Sequence, residues 1–222
     1  MERTIIKVTL LFLFCIGLFQ FNCSSDDVKN DKVFVIATYD DVKDWDPATA
    51  FSLEIFPMSN MYEPLLWYDA GVKPGRFVPG LATSYSKSQD GLVWVFNLRK
   101  NVFFHDGTKF DAEAVKFVVE RNKKLNGGAS YIWSSVSKII INSSHQITFT
   151  LSSSVPFDKI VSSQYGAWMS SPSIDSISKD SLNHGFGSGT GPYQLKKWAR
   201  NKYILFCLLY TSDAADEACG CV

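Results

Sequence analysis

Residues 90–119, DGLVWVFNLRKNVFFHDGTKFDAEAVKFVV, switch hydrophobic period once, and that switch limits what the chain can fold into. Asp90-Gly91 is a turn signal, because Gly tolerates positive φ and Asp bonds its own backbone. Trp94, Phe96 and Leu98 then alternate with Val95, Asn97 and Arg99, the period of a strand with one buried face. A second turn at Asp106-Gly107 leads to Asp111, which reads as the N-cap of a helix carrying Val115, Val118, Val119 and Leu125. Gly127-Gly128 supplies the stop.

Together with Ala82, this run resembles the signature of family 5 extracytoplasmic solute-binding proteins, the receptors of peptide and nickel ABC importers. The matching positions are Ala82, Asp90-Gly91, Trp94-Val95-Phe96-Asn97-Leu98-Arg99, residues 102–107, and Phe110-Asp111-Ala112. A second match is Gly189-Thr190-Gly191-Pro192-Tyr193, where glycines allow close backbone approach and Pro192 fixes the entry of the next strand. The resemblance spans residues 33–206. It implies a two-lobed α/β fold like that of type II periplasmic binding proteins: here the first lobe with its extra subdomain, without the second lobe. In such receptors the lobes close on ligand by hinge motion. The acidic residue that commonly takes a peptide's amino terminus lies in the absent lobe.

The first 23 residues read as a targeting segment: Arg3 and Lys7, then an apolar run over residues 8–21 that is short for a membrane span. Cys23 and the polar tether of residues 24–31 resemble a bacterial lipoprotein signal, in which the Cys is acylated. Gln20, Phe21 and Asn22 depart from that pattern, and an uncleaved anchor or ordinary secretion are the alternatives. All three export the chain. Residues 207–222 change character and resemble translated adapter DNA rather than a family strand, so they are expected to be a non-native tail.

Residues 32–38 form a continuous apolar run suited to a buried strand, and the polar loop after it makes Tyr39 and Asp40 binding candidates or plain solvated residues. Trp45-Asp46-Pro47 resembles the family's Leu-Asp-Pro element, and Met61-Tyr62-Glu63-Pro64-Leu65-Leu66 its Tyr-Glu stretch. Residues 51–61 read as a helix whose start Pro57 shifts or kinks. Tyr131 and Trp133, in a small-residue loop, either line an apolar pocket or cover the lobe. Residues 136–141 and 147–151 read as a hairpin, Pro156-Phe157 opens a short helix, and residues 193–198 and 203–206 form another hairpin. Residues 168–172 resemble the family's crossing strand into a Ser-Pro loop, which makes Trp168 and Ser170 site candidates.

Charge excludes a nucleic-acid partner: Lys+Arg and Asp+Glu are equal at 22 each, and the bases are scattered. The Cys residues fall at positions 15, 23, 207, 219 and 221, so the body holds no disulfide framework or Cys metal site. His105 stands without a second ligand nearby and reads as structural. The Gly-rich stretch 185–191 lacks the Gly-Lys-Ser/Thr ending of a phosphate loop. No nucleophile elbow or cofactor motif is evident, which disfavours an exported hydrolase. The resemblance therefore implies a non-enzymatic receptor that passes peptides, or nickel or another solute, to an ABC permease with its ATPase. A fragment lacking one cleft wall, and hence without binding, is the alternative.

Overall fold

The computed structural model describes residues 33–209, and the chain divides into two units after Ala37. In the first unit, residues 33–37 form no strand or helix, and Val33, Phe34, Val35 and Ile36 are all exposed. The buried strand expected over residues 32–38 is therefore not formed. Apolar residues alone do not make a strand; its backbone groups need a ladder, and among the described residues none pairs with this run. The signal segment, Cys23 and the tether lie outside the described residues.

The second unit runs α1 (Ile55–Met61), β1 (Leu66–Asp69), β2 (Arg76–Pro79), β3 (Ala82–Lys87), β4 (Val93–Leu98) and α2 (Ala112–Leu125). After a 3-10 turn at Ser130–Trp133 come β5 (Val136–Ser143), β6 (Gln146–Leu151) and α3 (Phe157–Val161). A second 3-10 turn (Pro172–Ser176), α4 (Lys179–Asn183), β7 (Tyr193–Ala199) and β8 (Tyr203–Leu208) complete it. β1 pairs with β2, β7 with β8, and the four-stranded sheet has the antiparallel order β3-β4-β6-β5.

The period switch produces the expected elements. Trp94, Phe96 and Leu98 are buried while Asn97 faces solvent, so β4 presents one face to the core. Asp111 caps α2 by accepting from Ala114 N at 3.0 Å, and Lys123 and Lys124 sit favourably at its negative end. The helix ends with Asn126 in the left-handed region, just before the expected Gly127-Gly128 stop, and Leu125 is exposed rather than packed. Val115, Val118 and Val119 face the sheet in one core cluster, where Phe157 meets the rings of Trp94, Phe96, Trp133 and Phe149 at centroid distances of 5.2–6.1 Å.

A second cluster gathers Val42, Trp45, Met58, Met61, Tyr62 and Trp168 against Leu195, Trp198, Ile204 and Phe206 of the β7–β8 hairpin. Pro57 lies in the first turn of α1, where its missing N–H costs no helical bond. The hairpin turn, with Asn201 at φ 58°, is tied down by Asp41, which accepts from Trp198 Nε1 at 2.9 Å and from Asn201 N at 2.6 Å. β8 runs through Leu208, two residues past the expected boundary at 206. The stretch at residues 168–172 forms no crossing strand. It contributes a single antiparallel bridge between Met169 and Glu63.

Candidate functional site

Three loops of the second unit converge: residues 49–51, 127–133 and 165–171. Gly128, at φ +52°, leaves no room for a Cβ, which would sit 2.5 Å from Thr49 O, and Gly166 (φ +71°) lies close against Ala129, 3.2 Å from where its Cβ would be. Phe51 and Tyr165 pack edge to face at 5.2 Å. Phe51 is 52% exposed and Tyr131, on the middle loop, is 65% exposed. The outer surface of these loops therefore carries the rings of Phe51 and Tyr131. Behind it, Trp133 is fully buried and donates its indole N–H to Gly166 O at 2.8 Å, which joins the second and third loops.

A buried ion pair fixes the first loop. Arg121 on α2 grips both oxygens of Asp46 at 2.7 Å and donates its Nε–H to Asp175 at 2.8 Å. Asp46 in turn accepts from Ala48 N, and its carbonyl takes the N–H groups of Thr49 and Ala50. Burial works against the Arg121 charge, but hydrogen bonds to Asp46 and Asp175 outweigh it and hold the guanidinium above its ordinary range.

The sequence candidates divide by exposure. Tyr39 is 89% exposed and Asp40 lies in an open loop, where the Asp41 N–H and then Lys43 hold its carboxyl below the usual range. Tyr131 is exposed on the loop cluster. Trp133, Trp168 and Ser170 are instead closed off from solvent, at 0%, 3% and 2% exposure. Their side chains have no open face for a solute in this conformation, and Trp168 packs against Trp67. Pattern reading could not separate Tyr131 from Trp133, two residues apart on one turn. Phe51, Tyr165 and Arg121 were not singled out by sequence. Arg121 borders the buried Asn122 and follows Val118 by one helical turn, the one local hint of its inward placement.

The four-stranded sheet with α2 and the loop cluster has the fold of type II periplasmic binding proteins. NikA from Brucella suis in complex with Fe(III)-EDTA has a TM-score of 0.68, with 24% identity over 78% of this chain and 35% of that one. DppA from Helicobacter pylori in complex with the peptide STSA has a TM-score of 0.65, with 25% identity over 80% of this chain and 39% of that one. The chain belongs to the bacterial extracellular solute-binding proteins, family 5, whose middle-region model matches residues 76–207. Among curated relatives, the "Probable D,D-dipeptide-binding periplasmic protein DdpA" of Escherichia coli is 32% identical over 151 residues, covering 65% of this chain and 29% of that protein. The nickel-binding periplasmic protein of Escherichia coli is 30% identical over 168 residues, 69% of this chain and 29% of its own. The chain thus spans less than a third of the length of these relatives. Among the described residues no helix is long and apolar enough to cross a membrane.

Proposed function

We propose that the chain is part of a receptor that captures peptides outside the cytoplasmic membrane and delivers them to an ABC permease driven by its ATPase. The observation that carries this reading is the pair of exposed rings Phe51 and Tyr131, the first packed on the half-buried Tyr165, on loops braced by buried side chains, within a family 5 chain. A braced scaffold with exposed rings suits a binding wall, because rings contribute large contact area at low entropic cost. Backbone hydrogen bonds and bridging waters would hold the peptide and leave side-chain choice broad. The acidic loop at Tyr39 and Asp40 is the second proposed contact. Cys23 is the proposed lipid attachment point, which would keep the receptor at the membrane.

Calorimetry on the chain and on a version extended to the length of its relatives would test this, with di- to pentapeptides, nickel chelates and glutathione as titrants. Peptide binding by the extended version, weakened about tenfold by Tyr131→Ala, is the expected result, equivalent to about 1.4 kcal/mol. No binding of peptides by the extended version would overturn the peptide assignment, and heat from chelates or glutathione alone would redirect it. Loss of radiolabelled palmitate from Cys23→Ala checks the anchor.

A further inference from the structure

The two sequence motifs meet at His105. Its Nε2 lies 2.8 Å from Gly191 O. A carbonyl only accepts, so Nε2 carries the proton and Nδ1 the lone pair. Nδ1 is buried and has no hydrogen-bond partner. On the same loop, His105 N donates to Gly189 O at 2.9 Å and Asp106 N to Ser188 Oγ at 3.0 Å. From the other side, Gly191 N donates to Met61 O at 2.9 Å, and β7 begins two residues later. The segment 188–191 is therefore clamped between a loop rooted in the first core cluster through Phe104 and Phe110, and the end of α1 in the second.

We propose that this junction is an acid-sensitive latch: a proton arriving on His105 Nδ1 finds no acceptor, and its charge releases segment 188–191 from the loop at residues 103–107. The charged and titratable groups around it are Asp106 and Lys109 on its own loop, Glu63 beside Thr190 with Arg99 acting on that carboxyl, and Tyr62, whose ring lies against Gly189 and whose hydroxyl lies against Gly187. Burial is the strongest influence on the imidazole and holds it below the ordinary value of 6.5, while the Gly191 carbonyl and Asp106 pull the other way. A depressed histidine means the folded form binds fewer protons than the unfolded one, so its contribution is complete above pH 6.5 and is lost as pH falls below that value. Glu63, pushed up by burial, has the opposite sign: its contribution is present below 4.5 and is lost as pH rises through its folded value, so the His105 substitutions, which leave Glu63 in place, tell the two apart.

Hydrogen exchange by mass spectrometry on the full chain at about pH 7 and about pH 5.5, corrected for intrinsic rates, reads the latch directly. In the wild type, protection of peptides covering residues 103–107 and 188–193 should fall about tenfold on acidification. His105→Gln keeps a donor at the Nε2 position without a titrating ring and should hold its protection at both pH values. His105→Ala should be open at both. Equal wild-type protection at the two pH values, an acid loss in His105→Gln matching the wild type, or full protection in His105→Ala near neutral pH would each overturn the proposal.

Discussion

Arg121 illustrates how one side chain can organise a surface from beneath. Its guanidinium and the Asp46 carboxylate are almost closed to solvent, with side-chain exposures of 9% and 12%. Removing one member of such a pair leaves the other charged and unpaired in a poorly hydrated place. Arg121→Ala should therefore destabilise the chain by about 3 kcal/mol, read as a lower denaturant midpoint. Arg121→Lys should lie between the two, since an ammonium cannot reproduce the bidentate grip. A wild-type midpoint in Arg121→Ala would show that the loop is held by its backbone bonds alone.

At the scale of elements, the cap of α2 and the outer face of the sheet are independent devices. Asp111→Ala should cost about 1 kcal/mol by leaving the Ala114 N–H without its acceptor, measured by chemical denaturation. On the outer face, hydrogen bonds run without a break across the sheet. Thr148 donates to Asn142, Asn142 to Gln146, Gln146 to Asn97, and Asn97 to Ser84, at 2.8–3.1 Å. Every amide in the row both donates and accepts, so deleting one reorients the next. A double-mutant cycle of Asn97→Ala with Gln146→Ala should give a coupling of about 0.5 kcal/mol, modest because Asn97 is exposed and Gln146 only half-buried. Additive effects would mean that water replaces the row without loss.

For the molecule as a whole, Phe157 matters more than its place on a five-residue helix suggests. Its ring touches β4, β6 and the turn bearing Trp133, so Phe157→Ala opens a cavity among large rings that cannot collapse together. The expected loss is about 4 kcal/mol in thermal or denaturant unfolding, with loosening carried to the Tyr131 loop through Trp133. A loss below about 1 kcal/mol would show that the neighbouring rings close the gap.

Local chemistry by itself determined the switch from β4 to the Asp111-capped α2 and the β5–β6 and β7–β8 hairpins, because turns, caps and side-chain periods act within a few residues. The family resemblance was likewise written in those short motifs. Only tertiary structure decided which apolar residues had somewhere to go. Residues 33–37 match a buried strand in composition and lack a ladder, while Trp133 is core and Tyr131 surface on one short turn. It also decided the partners of Arg121, which are 75 and 54 residues away, and the meeting of His105 with Gly191 across 86. Such contacts depend on how separate segments pack, and packing is a property of the assembled chain that no local window contains.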